Sequence, residues 1–203
     1  MTSSLPLFPL GTVLFPGGVL PLRVFEARYV DMIRAAMRDG GTFGVVLIQD
    51  GQHEVGNPDV AIADVGCRAR IDDWDMAQLG VLQITTTGTE RFRIVDRHVK
   101  ADGLIVADVV AIDDEASAPP PDDAAASVAL LKRVVEQIDD EAATLVRPIA
   151  KPYRFDDATW VGNRLGELLP MPLPMKQSLM ASTDSTARLA TIMEFLRLHG
   201  VGE

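Results

Sequence analysis

The side chains that could do chemistry in this chain are four lysines, three histidines, one cysteine and a few adjacent acidic pairs. A phosphate-cradling loop needs glycine ahead of its lysine, so that backbone N–H groups converge on the anion. None of Lys100, Lys132, Lys151 and Lys176 follows a glycine. No GxSxG elbow is present to expose a serine nucleophile. Lys176 and Ser178 lie two positions apart, which on a helix turns them away from each other. His53, His98 and His199 are far apart, with no HxxxH or CxxC partner, and are read as surface histidines. The pairs Asp72-Asp73, Asp113-Asp114 and Asp156-Asp157 suit solvated loops and helix caps better than two carboxylates facing one bond. Cys67 alternates with its neighbours, Val65, Cys67, Ala69 and Ile71 on one side and Gly66, Arg68, Arg70 and Asp72 on the other. That places the thiol inward as a small hydrophobe. These residues predict no catalytic group, no metal site and no cofactor.

Two sets of residues could instead bind. Arg23, Phe25, Glu26, Arg28 and Tyr29 fall at a strand-to-helix junction, and Arg91 and Phe92 on a strand. In one reading Glu26 favours the helix N-terminus and pairs with a nearby arginine such as Arg91, while the aromatics are core. In the other, the junction borders a groove where aromatic faces and arginine stems meet an unfolded peptide. Met171, Met175 and Met180 pose the same choice, between gap-fillers among helices and an adaptable binding surface.

The elements that must position these residues are legible from turn chemistry and periodicity. Pro6, Pro9, Pro16 and Pro21 forbid one long helix across Leu5–Tyr29 and leave short extended pieces. Phe15-Pro16-Gly17-Gly18 fits a type II turn. Glu26–Arg38 then sets Tyr29, Met32, Ile33, Ala36 and Met37 at helical spacing, with Gly40 as the stop. Strands are expected at Thr42–Ile48, Val65–Asp73, Gly80–Thr87, Arg91–Arg97 and Leu104–Ile112. Gly88-Thr89 reads as the turn between two of them, and Asp50–Pro58 as a surface loop.

A compositional break follows at Asp113–Asp123, acidic and proline-rich without a large apolar residue. Beyond it the period becomes helical. Val128, Leu131, Val135 and Ile138 share one face, with Asp122 or Asp123 near that helix's start. Asp156 or Asp157 can cap a second helix carrying Trp160, Leu165, Leu168 and Leu169, which Pro170 ends. A short third helix starts near Met171. Thr183 or Asp184 opens a fourth, with Leu189, Ile192, Met193 and Leu196 as its stripe and Gly200 beyond.

Composition bounds the function classes. The chain has 203 residues, 47% of them hydrophobic, and a formal charge of −10. That is ample for a core, and an acidic surface repels phosphate backbones, which disfavours nucleic acid. No run of ~18 apolar residues marks a membrane span. One cysteine permits no intrachain disulfide and fits a reducing cytoplasm.

Three stretches, LFPL…VLFPGGVLPLRVFEARY, VGCRARI…GVLQITTTGTERFRI and WVGNRLGELLPMPLPMKQSLMASTDSTARLATIMEFL, together resemble the N-terminal substrate-recognition domain of the bacterial Lon protease family. The resemblance spans nearly the whole chain, thinning at the acidic break and at Glu141–Phe155. It implies an α+β fold: a mostly antiparallel, partly closed β-barrel of the pseudouridine-synthase-and-archaeosine-transglycosylase-like (PUA-like) type with one early helix, followed by a helical bundle. The barrel part is expected over residues 1–116 and the helical part over 117–203. Lon proteases join this region to ATPase and Ser–Lys peptidase modules, and the 203 residues stop before either would begin. The implied function is a stand-alone, non-enzymatic polypeptide-recognition module, an adaptor or regulator of proteolysis. Its partners would be unfolded polypeptides and a protease or chaperone. A small-molecule receptor of the cereblon type, an RNA-binding PUA-like module and a hydrolase with an unrecognised site are the alternatives. Trp74 and Trp160 do not reproduce the tryptophan cage of cereblon-type receptors.

Overall fold

A computed structural model describes residues 2–49, 60–78, 80–113, 116–141 and 149–200. The Asp50–Pro58 loop therefore lies outside the described residues. Contacts divide the chain into two compact units, Met1–Asp113 and Asp114–Glu203.

The first unit runs β1 (Thr2–Leu10), β2 (Val19–Val24), α1 (Ala27–Asp39), β3 (Phe43–Leu47), β4 (Val65–Gln78), β5 (Val81–Val99) and β6 (Ile105–Ile112). The sheet order is β2-β5-β4-β3-β1-β6, and β6 also pairs with β5, which curls the sheet into a partial ring. The ring is mixed, because β1 and β3 are parallel while the other pairings are antiparallel. It is ring-like rather than a complete barrel, and among the described residues β2 pairs with β5 alone.

The proline-rich opening folds for the reasons its chemistry gives. Gly17 takes φ 75° and the Gly18 N–H donates to the Phe15 oxygen at 2.9 Å, closing the type II turn ahead of β2. In α1, Tyr29, Met32, Ile33 and Ala36 are buried, and Gly40 ends the helix at φ 62°. That face enters a core with Phe8, Val24, Phe43, Cys67, Leu82 and Leu104, each large side chain contributing about 2 kcal/mol by burial. Every residue of β3 is buried, as a strand covered on both faces requires. A second cluster gathers Leu5, Leu7, Val46, Ile62 and Phe92.

One turn expected from the sequence is absent. Gly88-Thr89 does not separate two strands; β5 runs unbroken through it for 19 residues. Gly88 is there for close approach. Its N–H donates to the Gly18 oxygen at 2.9 Å and its oxygen accepts from Gly17 at 2.8 Å. A Cβ at this position would sit 2.2 Å from the Phe15 oxygen. So glycine lets the β2 turn dock flat onto a strand long enough to serve β2, β4 and β6.

In the second unit a 3-10 turn, Asp122–Ala124, leads into α2 (Ala125–Glu141), then α3 (Ala158–Leu168), α4 (Leu173–Ala181) and α5 (Ser185–Leu198). Asp157 caps α3 by accepting from the Trp160 N–H at 3.1 Å, and Asp184 caps α5 by accepting from Ala187 at 2.9 Å. Among the described residues, no helix is long and apolar enough to cross a membrane.

Candidate recognition surface

The β2–α1 junction is built around Arg28. Its Nη2 and Nε donate to Glu26 Oε2 at 2.7 and 3.1 Å, and its Nη1 donates to the Gly103 oxygen at 2.9 Å. The guanidinium also lies 4.6 Å from the centroid of the Tyr29 ring, which stacks on Phe8 at 4.2 Å. Arg28 thus ties the start of α1 to the β5–β6 turn. Burial pushes the Tyr29 hydroxyl above its usual value; Arg28 opposes this and Glu26 adds to it. Glu26 occupies the N-cap position without a side-chain cap bond. Its partner is Arg28 rather than Arg91: the short loop back to residue 28 satisfies the carboxylate locally.

The expected binding residues separate by exposure. Arg23 is exposed on β2, and Phe25, just after it, is 63% exposed. Glu26 remains partly open and Tyr29 is 8% exposed. Arg91 and Phe92 are elsewhere on the ring and buried, the Phe92 ring filling space beside Gly44 and Gly66, where added Cβ atoms would come within 2.7 and 2.5 Å of it. Both therefore act in the core. In the helical unit Met171 and Met180 are buried and Met175 is partly exposed.

Sequence reasoning missed the apolar residues that stand in water. Trp74, Met76, Val95 and Val99 are all exposed, with Trp74 at 53%. Register explains which of them cluster. Gln83 of β5 pairs with Arg23 on one side and Asp75 on the other, so Phe25, Trp74 and Met76 belong to the same end of the sheet. The available signal was the run Asp72–Met76, where a tryptophan and a methionine interleave with acids instead of continuing a core alternation. Two open grooves flank this region. One, of about 670 Å³, runs along Glu26, Arg28, Asp31, Val99 and Lys100. The other, of about 270 Å³, lies between the end of α1 and Ile71–Trp74. His98 is exposed on β5, and His199 stacks on Phe195 at 4.1 Å.

Comparison with solved structures gives the class first. The fold matches the crystal structure of Lon N-terminal domain protein from Xanthomonas campestris with a TM-score of 0.77 and 34% identity, over 95% of this chain and 98% of that one. It also matches the N-terminal domain of Mycobacterium avium complex Lon protease at TM-score 0.64 and 16% identity, over 97% and 100%, which speaks to fold alone. Residues 4–197 match the family model described as the ATP-dependent protease La (LON) substrate-binding domain, and the chain belongs to that family. Among curated relatives, Lon protease 2 of Myxococcus xanthus is 30% identical over 200 residues and Lon protease of Anaeromyxobacter dehalogenans (strain 2CP-C) 28% over 199. Each alignment covers 95% of this chain but 23% of the relative.

Proposed function

We propose that this protein recognises unfolded polypeptides without chemistry of its own, serving as an adaptor or regulator of proteolysis in the cytoplasm, with a protease or chaperone as its partner. Membership in a substrate-binding family carries the reading. Residues 1–116 and 117–203 would be the two parts of that recognition domain. The sheet unit supports it physically: Phe25, Trp74, Met76, Val95 and Val99 keep apolar surface in water, and exposed apolar residues are what separate an unfolded chain from a folded one. Arg23 and Glu26 border this surface and Tyr29 is buried beside it, whereas Arg91 and Phe92 are buried elsewhere on the ring. Met175, partly exposed, is the candidate of the helical unit.

Burial of apolar surface contributes roughly 25 cal/mol per Å², and ordering a flexible chain takes back much of it. A single site should bind at micromolar strength or weaker. Titrating the protein with labelled casein at low and moderate salt tests this. Saturable binding that salt weakens only modestly is expected, because salt screens the steering charges and leaves apolar contact intact. Complete loss at moderate salt, or equal binding to folded acidic proteins, would replace apolar recognition with simple charge attraction.

A further inference from the structure

We propose that the smaller groove, between the C-terminal end of α1 and the outer end of β4, receives the side chain of a lysine or arginine in a bound polypeptide. The proposal rests on the recognition reading above and narrows its substrates to segments in which cations alternate with apolar residues. The groove is bounded by Ala36, Met37 and Gly41 on the helix side and by Ile71, Asp73 and Trp74 on the strand side, and encloses about 270 Å³. That is below the size of a drug-sized ligand site and suits one long side chain. Its walls offer an apolar stem contact in Met37 and Ile71 and an indole that is half exposed.

The charge in the groove selects the head group. Arg70 lines it too, but its guanidinium is engaged by Asp72, with Nε and Nη2 each 2.8 Å from Oδ1. Asp72 also accepts from the Thr87 hydroxyl, so that pair is internally satisfied. Asp73 Oδ1 accepts from the Trp74 backbone N–H at 2.9 Å, and its second oxygen takes no bond from any described residue. Asp73 and Trp74 both line the groove, and a carboxylate and an open indole within reach of one side chain attract an ammonium or guanidinium through Coulomb attraction and the ring quadrupole. The end of α1 adds the negative pole of a helix dipole. An anionic or neutral polar head would lose all three contributions.

The test uses the full chain and two labelled unstructured peptides, one of alternating leucine, serine and lysine, the other with Nε-acetyl-lysine replacing each lysine, which removes the charge and keeps the stem. Anisotropy should show the lysine peptide binding about threefold to tenfold more tightly. The ratio should fall to about one in Trp74→Leu and in Asp73→Asn, the latter keeping an acceptor for the Trp74 N–H. A second readout needs no variant: the lysine peptide should shield Trp74 from a soluble fluorescence quencher, Trp160 being buried already at 6% exposure. A ratio of one on the unaltered protein, with both peptides bound, overturns the groove and leaves polypeptide recognition standing. So does a preference that survives both substitutions, or a bound lysine peptide that leaves Trp74 open to quencher. Failure of both peptides to bind overturns the recognition reading itself.

Discussion

The two units differ in arrangement. Although Arg91 is buried in the sheet unit and Leu173 and Leu198 are exposed in the helical one, exposed apolar side chains gather at one end of the sheet and two buried arginines lie among the helices. The sheet unit leaves a phenylalanine, a tryptophan and a methionine in solvent at one end of its sheet. The helical unit takes charged side chains out of solvent: Arg164 and Arg188 are among the largest fully buried side chains in the protein. Exposed apolar groups do nothing for the isolated fold and remain available to a partner. Buried charges are expensive unless their hydrogen bonds are made, so they specify packing. The contrast is one of clustering: Phe25, Trp74 and Met76 share one end of the sheet, while Arg164 and Arg188 are the two fully buried arginines of the helices.

The largest expected effect tests the second half of that contrast. Arg188, on α5, donates its Nε to the Leu179 oxygen at 2.9 Å and its Nη2 to the Ser182 oxygen. These carbonyls lie at the end of α4, where a helix leaves acceptors unpaired and favours a cation. Arg188 is thus a C-terminal cap supplied by the next helix. Arg188→Met keeps most of the volume and removes the donors, and should cost about 3 kcal/mol in urea unfolding. A variant as stable as the parent would mean that the buried arginine contributes no net stability.

A smaller effect should appear at the α3–α4 contact. Glu167 Oε2 lies 3.3 Å from Arg164 Nη1, and Lys176 Nζ donates to the Glu167 main-chain oxygen at 2.7 Å. Burial raises the Glu167 carboxyl above its ordinary 4.5, with Arg164 and Lys176 pulling the other way. A raised folded value means that the folded state holds the proton more tightly than the unfolded one. The associated stability is fully present below 4.5 and is lost as pH rises through the raised value. Melting temperatures of the parent relative to Glu167→Gln should therefore climb as pH falls from neutrality toward 4.5. A difference that stays flat over this range would show that Arg164 and Lys176 offset burial, and one that falls toward acid would show that they outweigh it.

The same contrast explains what could be read from the sequence. Periodicity carried the helices, because each buries one stripe: Leu189, Ile192 and Leu196 are buried on α5 where the 3.6 repeat puts them. Caps were equally local, since Asp157 and Asp184 bond to amides three residues on. Gly88 misled because two glycine uses look alike in one dimension. A turn glycine and a close-approach glycine differ only in what lies across from them, here the Phe15 carbonyl 73 positions earlier in the chain. Arg91 and Phe92 stayed open between core and groove for a related reason. An arginine beside a phenylalanine reads as amphipathic surface until the glycines that admit the ring are known to face it. Arg164 and Arg188 ran against the rule that arginine stays outside. Arg188 is reconciled with burial by the carbonyls at the end of α4, and Arg164 pairs with Glu167 one turn on in its own helix.

The smallest effect on stability should come from the exposed end of the sheet, and there the effect on binding should be larger. Phe25 follows β2 and precedes α1, with 63% of its surface open. Its neighbours Val24 and Tyr29 are buried, so the backbone is held without it. Phe25→Ser should then shift unfolding by no more than about 0.5 kcal/mol, as for other surface changes without a structural partner. If a polypeptide covers the ring, about 100 Å² of apolar surface would leave water, a gross gain near 2.5 kcal/mol from which ordering takes its share. A net loss of about 1 kcal/mol, roughly fivefold in affinity for casein, is the expected result. Destabilisation comparable to that of Arg188→Met would move Phe25 from the contact surface to the core and erase the difference between the units. Unchanged stability with unchanged casein affinity would keep the contrast but place the contact elsewhere, with Trp74 and Met76 or along Val95 and Val99 as the surfaces to test next.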